Sequence, residues 1–245
     1  MIVKKLPWAG IRLEFNSTRI VIDPLYNFPS KFGQSHEPIL PLDRYGLVDA
    51  VLVTHHHGDH FDRAAIALFY GSDIPVYMPR ESLNHAESSG LTNIHGVFLG
   101  ETIEIGDLKA TASYSVDGLG DPQLSWIVDG GGKKLLHGGD TLWHGYWWQI
   151  AREHGPIHVA CLPVNAAVVE FPGLTPSGQP ITMSPEQAVS AAIVLGADVL
   201  LPIHYRAIHY PPLYSETPNI LERLQEAAKD RVKLAALQSE ETITL

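Results

Sequence analysis

With 245 residues, 45% of them apolar, and a formal net charge of −10, the chain can bury a substantial core. Its acidity argues against a general nucleic-acid or anionic-membrane surface. A single cysteine excludes an internal disulfide, no run approaches the ~18 apolar residues of a membrane span, and the opening residues lack a secretory signal pattern. The expectation is a cytoplasmic protein organised as one domain over residues 1–245. Its partner is expected to be a small-molecule substrate, without nucleic acid or membrane insertion, and self-association stays open.

Residues 11–15 and 19–22 read as strands about the turn Asn16-Ser17-Thr18, which predicts a hairpin. Asp23 follows, and then the aperiodic, Pro- and aromatic-containing stretch 24–42. A loop of that length in a compact fold is commonly functional, so it is expected to wall a site. Ala50-Val51-Leu52-Val53 reads as a short buried strand and runs into Thr54-His55-His56-His57-Gly58-Asp59-His60. Asp62 opens a helix over 63–69, and 76–78 is a short strand. Residues 102–105 and 108–115 form a hairpin about Gly106-Asp107. A second hairpin joins 125–128 to 134–136 through Gly130-Gly131-Gly132. The stretch 142–154 predicts a helix closed by Gly155, with Trp143 and Trp147 on one face for packing.

Residues 158–162 read as a core strand, where Cys161 serves as a small buried hydrophobe. The Pro-rich stretch 164–183, with Val168-Val169-Glu170-Phe171, is expected to form a second pocket wall. Ser184-Pro185-Glu186-Gln187 is a capping box, and Gly196 ends its helix. Strand 199–203 then delivers His204. A last helix opens at Thr217-Pro218 and runs to about 229.

The histidine-rich run carries the most chemistry. His55, His57, Asp59 and His60 place four potential metal ligands within six residues, at a strand end where functional loops are mounted. Imidazole with carboxylate suits zinc, and also manganese or iron. His56 has neighbours pointing the opposite way and is expected to play no ligand role.

This motif resembles the signature of the metallo-β-lactamase superfamily. Ile20-Val21-Ile22-Asp23-Pro24, Gly138-Gly139-Asp140-Thr141 and Pro202-Ile203-His204-Tyr205 are similar to further segments of that family, in its order. The resemblance spans about residues 5–210 and is nearest the branch of ascorbate-6-phosphate lactonase and N-acyl phosphatidylethanolamine phospholipase D-like hydrolases. It implies an α/β fold, a four-layer αββα sandwich. It also implies zinc as cofactor, one or two ions, with manganese an option. His55 and His57 would hold the first ion, Asp59, His60 and His204 the second, with Asp140 bridging. Asp23 would orient a ligand histidine from behind. The family's third histidine for the first ion should fall near the end of strand 108–115. Tyr114 stands there instead, so the first site is expected to be the weaker one. His144 and His137 are each read as non-ligands, and His36, in the long early loop, is a weaker candidate than His209 for a substrate or proton-transfer role. His209, in the loop after His204, is expected at the pocket as a catalytic proton-transfer group beside Asp59.

The resemblance implies a metal-dependent hydrolase, of lactonase or phosphodiesterase type, using a metal-bound hydroxide on a small lactone or phosphodiester. The alternative is a non-catalytic metal-retaining binding protein with a degenerate first site. A third option, an oxidoreductase, ranks last because no flavin domain is fused.

Overall fold

The computed structural model describes residues 1–87 and 90–245. The chain opens with strands β1 (Ile2–Lys5), β2 (Ile11–Phe15) and β3 (Thr18–Ile22), followed by β4 (Ala50–Leu52), helix α1 (Arg63–Tyr70), β5 (Val76–Pro79) and β6 (Ile94–Val97). The second half carries β7 (Thr102–Ile105), β8 (Leu108–Tyr114), β9 (Leu124–Gly130), β10 (Lys133–His137), α2 (Trp147–His154), β11 (Val159–Pro163) and β12 (Val168–Val169). Then come α3 (Pro185–Val194), β13 (Val199–Ile203), β14 (Tyr214–Ser215), α4 (Ile220–Ala228), β15 (Lys233–Leu234) and β16 (Thr242–Thr244).

One seven-stranded sheet has the order β16-β1-β2-β3-β4-β5-β6, and the other β15-β13-β11-β10-β9-β8-β7. Strand alternation stacks them. Ile20 and Ile22 of β3 point into the core shared with the second sheet, while Val21 points to the α1 side. Cys161 of β11 faces the same shared core, and its neighbours Ala160 and Leu162 face α2, α3 and α4. Period-two side-chain direction thus yields helix, sheet, sheet and helix layers, the αββα sandwich of the metallo-β-lactamase fold. Cys161 is buried, as its apolar setting predicts, and burial pushes its thiol pKa up.

Chain direction matters more for the site than layer order. Strands β3, β4 and β5 run parallel, as do β10, β11 and β13. Loops leaving the carboxyl ends of β3 and β4 meet those leaving β10, β11 and β13 at one edge of the sandwich. The two sheets are tied there by Trp126 Nε1–H donating to Val53 O at 3.1 Å and by Leu124 N–H donating to Thr54 O at 3.0 Å.

Several expectations shift by a residue or two. The capping box forms with both reciprocal hydrogen bonds. The expected helix over 142–154 is shorter, because residues 141 and 142 are taken up in extended pairing. Thr141 bridges to Asp117, and Leu142 N–H donates to Val116 O at 2.8 Å. Trp143 therefore precedes the helix and packs edge-on against Trp148, while Trp147, of these three, is the fully buried one.

Candidate metal centre

The histidine-rich run follows β4, and its geometry is fixed from behind. Asp23, buried at the end of β3 with φ 48°, accepts from Thr54 N–H at 2.8 Å, Thr54 Oγ1–H at 2.6 Å and His60 Nδ1 at 2.8 Å. His60 is thereby held with Nε2 facing the site. On the far side, Asp62 caps α1 through Ala65 N–H and accepts from Tyr26 N–H, Asn27 N–H and Asn27 Nδ2. One carboxylate thus anchors both the helix after the motif and the loop that begins at residue 24.

Asp59, His60, Asp140 and His204 bring one donor atom each within 4.8 Å of one another. Asp140 Oδ1 lies 2.9 Å from His60 Nε2 and 2.8 Å from His204 Nε2, and Asp59 Oδ2 lies 3.7 Å from each ring nitrogen. Four ligands at about 2.0–2.1 Å from a tetrahedral zinc would stand about 3.3 Å apart. Asp140 Oδ1, His60 Nε2 and His204 Nε2 are all buried without a well-formed hydrogen bond. Orphaned buried polar atoms are costly, and three converging on one point fit a cation. The charge pattern agrees. Burial opposes ionisation of Asp140, yet His204 and His60 hold its carboxyl well below the usual range. Burial would likewise depress His60, but Asp140, Asp59 and Asp23 raise it well above its ordinary value.

A second group contains His55, His57 and Asp117. His55 Nε2 and His57 Nδ1 face each other at 2.9 Å, with Asp117 Oδ2 4.0 Å from His57 Nδ1 and Asp140 Oδ2 3.9 Å from His55 Nε2. Two ring nitrogens so close either share a proton or serve a common cation. Asp140 thus faces both groups, the position expected of a bridging carboxylate.

Asp117 is the residue that sequence reasoning missed. Tyr114, expected in the missing ligand's place, stacks on Tyr146 at 4.2 Å, and its hydroxyl accepts from Gln149 Nε2. The strand has ended at Tyr114, and the chain needs three more residues to turn back over the site. Asp117 Oδ1 is occupied by Leu119 N–H at 2.7 Å, leaving Oδ2 for the histidines. Gly118 is required next, since a Cβ there would stand 2.1 Å from Ile181 O. Asp121, also unanticipated, lies 2.9 Å from His57 Nε2, on the ring's far side.

Other supports come from distant chain segments. Trp8, at φ 57°, packs its ring at a tilt against that of His204, centroids 4.0 Å apart, and donates Nε1–H to Asp59 Oδ2 at 3.0 Å. Lys5 Nζ donates to Leu6 O and Trp8 O, and Glu37 accepts from Trp8 N–H at 2.7 Å, so that bend is clamped from two sides. Gln123 accepts from Asp140 N–H at 3.0 Å. Gly139, at φ 61°, leaves no room for a Cβ against Thr54 and Gln123.

The remaining histidines separate cleanly. His137 is spent on the backbone, 2.8 Å from Ala9 O, and His144 stacks on Trp147 at 4.1 Å with its pKa lowered by burial to about 4. His36 is exposed, 3.0 Å from His209 O. His209 corrects an expectation. It is exposed, its Nδ1 accepts from Glu216 N–H, and it does not line the cavity over the metal groups, because the chain after His204 bends away toward residue 36. His56 stacks on His85 at 3.7 Å and also forms a third, more exposed group with His57 and Asp121.

The cavity above these groups has a volume of about 230 Å³. Its floor includes His57, Asp59 and Asp140. Pro29, Lys31 and Phe32 come from the loop 24–42, and Phe171 and Ile181 from 164–183, with Leu119 and Tyr214 completing the walls. Both stretches expected to wall a site therefore line this cavity. Among the described residues no helix is long and apolar enough to cross a membrane.

Comparison with known proteins agrees with this geometry. Residues 18–205 match the family described as the beta-lactamase superfamily domain. A UPF0173 metal-dependent hydrolase of Thermococcus kodakarensis is 29% identical, over 99% of this chain and 99% of its own. Among solved structures, Igni18, described as a novel metallo hydrolase from Ignicoccus hospitalis, superposes with a TM-score of 0.74 at 22% identity, covering 99% of this chain and 97% of that one. CmlA, a diiron β-hydroxylase of Streptomyces venezuelae, superposes with a TM-score of 0.76 at 16% identity, over 100% of this chain and 54% of that one. A family match over most of the sequence, on the sandwich that those structures share, means that the chain belongs to the metallo-β-lactamase superfamily.

Proposed function

We propose that this chain is a metal-dependent hydrolase acting on a small lactone or phosphodiester. The carrying observation is the convergence of His60 Nε2 and His204 Nε2 on Asp140 Oδ1, all three buried and otherwise unpartnered, at the floor of a cavity of about 230 Å³. Kinship with relatives named metal-dependent hydrolases supports the same reading.

In this reading Asp59, His60, Asp140 and His204 would hold one ion, and His55, His57 and Asp117, with Asp140 beside them, would hold another. Zinc suits the donor set, and manganese fits too. Ions bound there would supply water activated near neutral pH and a positive charge against the developing oxyanion. The protein's own groups do the positioning. Asp23 fixes the ring of His60, and Trp8 fixes both His204 and Asp59. Asp59 faces the cavity, and because Trp8 Nε1–H occupies only one of its acceptor directions, its carboxylate would be placed to accept a proton.

The test combines metal analysis with hydrolysis of bis(4-nitrophenyl) phosphate and δ-valerolactone. His60→Ala and His204→Ala should each lose metal and hydrolysis together. Undiminished activity in metal-depleted His204→Ala protein would overturn the hydrolase reading.

One observation favours a second reading. Two histidines and a carboxylate, His55, His57 and Asp117, make up a set that also suits non-haem iron and oxygen chemistry. The sandwich is shared with a diiron hydroxylase, a likeness of fold alone. Full hydrolysis by an iron-free, zinc-loaded preparation would exclude it.

A further inference from the structure

We propose that Lys31 is the recognition group for a negatively charged substituent on the substrate, which makes the substrate class a small oxyanion-bearing ester, lactone or phosphodiester. The proposal rests on the hydrolase reading above and adds what the cavity selects.

Lys31 sits at the cavity wall on the loop 24–42, and it is the one lysine or arginine among the described lining residues. Its ammonium lies over two aromatic faces, 4.8 Å from the centroid of Phe32 and 4.6 Å from that of Phe171. Phe32 is buried and belongs to the same loop, whereas Phe171 comes from the stretch 164–183 and stands beside it, ring centroids 6.2 Å apart. Two rings hold the charge in place by cation–π attraction while leaving its N–H donors free, because a ring face does not consume a hydrogen bond as a carboxylate does. No carboxylate of the described residues pairs with it, in a chain carrying 27 acidic against 17 basic side chains. An exposed lysine held over two adjacent ring faces and left without an anion is poised to receive one.

The rest of the cavity sets the shape of the ligand. Pro29, Leu119 and Ile181 are apolar, so the segment between the anion and the reacting group is a short apolar linker rather than a polyhydroxylated chain. A volume of about 230 Å³ lies below the ~300–1,000 Å³ usual for pockets that enclose drug-sized ligands. A small molecule fits, with one end at Lys31 and the scissile bond at Asp59 and Asp140.

The experiment uses two esters with one leaving group, 4-nitrophenyl acetate and the mono-4-nitrophenyl ester of succinic acid, on the zinc-loaded full chain. Lys31→Met keeps the apolar stem and removes the charge. It should lower the ratio of kcat/KM for the succinate ester over the acetate by about twofold to fivefold, the range of one exposed ion pair, and mainly through KM. Lys31→Arg should keep the ratio. A ratio unmoved by Lys31→Met overturns the proposal. Glutarate binding to the zinc-loaded protein, measured by calorimetry, reads the subsite without turnover. Weaker binding to Lys31→Met supports the proposal. Equal binding, or none to the unsubstituted chain, overturns it. Failure of both esters to react while glutarate binding still depends on Lys31 would count against the hydrolase reading alone.

Discussion

In the proposed centre, Asp117 would give the first histidine pair a carboxylate donor besides the bridging Asp140. Its carboxylate is placed by the extended pairing of residues 116–117 with 141–142 and by Leu119 N–H, so it is a built feature of the turn. Burial pushes its pKa up, an effect His57 opposes, so a cation nearby would favour the charged form. Zinc titration of the apo-protein should resolve two steps, and Asp117→Ala should weaken one of them by at least about tenfold while sparing the other, a loss at the lower end of what ligand-shell changes produce. Identical titrations of the two proteins would remove Asp117 from the site. The residue also marks the limit of what the sequence discloses. His55, His57, Asp59 and His60 are legible because one short run carries them all. Asp140 and His204 become legible once the family pattern supplies an order. Asp117 sits three residues beyond the strand end where a ligand is expected, and a turn's path is not written in periodicity. Trp8, Gln123 and Asn165 reach the site only through tertiary contact: Asn165 Oδ1 lies 3.4 Å from His204 Nδ1, yet nothing local distinguishes that asparagine.

At the scale of elements, strong local signals survive folding and weak ones yield to partners. The capping box at Ser184 and the glycine turn between β9 and β10 form where expected, since both are satisfied within a few residues. The helix expected from residue 142 loses its first turn to pairing with residues 116–117, a competition that no local propensity reveals. Strands β1, β15 and β16 escape a periodicity reading because they are short and completed by sheet neighbours. One inter-element contact is open to measurement. Arg223 of α4 forks onto Glu186 in the first turn of α3, Nε and Nη2 each 2.7 Å from a carboxylate oxygen. That bidentate hydrogen bonding lowers the Glu186 pKa from 4.5 to about 2. Both side chains are a third or more exposed, so screening limits the pair to about 0.5–1 kcal/mol. The sign follows from the depressed folded value. The stabilisation is complete above the unfolded pKa of 4.5 and is lost as pH falls through about 2. A double-mutant cycle on Glu186→Gln and Arg223→Met should give that coupling at pH 7 and a smaller one at pH 4. No coupling at pH 7 would mean that the fork contributes nothing to holding α3 against α4.

Across the whole molecule, the two sheets share one apolar core, and the site closes one edge of it. Asp59 and His60 follow β4 in the first sheet, while Asp140 and His204 follow β10 and β13 in the second. An ion held by these four donors would cross-link the sheets where Trp126 and Leu124 already tie them. The unfolded chain cannot present the four donors together, since more than a hundred residues separate His60 from His204 in sequence. Binding energy at this point is therefore folding energy. At a free zinc concentration a hundred times the dissociation constant, mass action stabilises the native state by about 2.7 kcal/mol. For a chain of this length each kcal/mol moves Tm by about 2–4 °C, so zinc should raise Tm by roughly 5–10 °C and a chelator should reverse the rise. His204→Ala removes a donor from the second sheet and should abolish most of the gain. His36→Ala, at an exposed histidine away from the cavity, should leave it intact and thereby separates the centre from adventitious surface binding. A rise of equal size in His204→Ala would show that zinc stabilises the fold from somewhere other than the edge where the sheets meet.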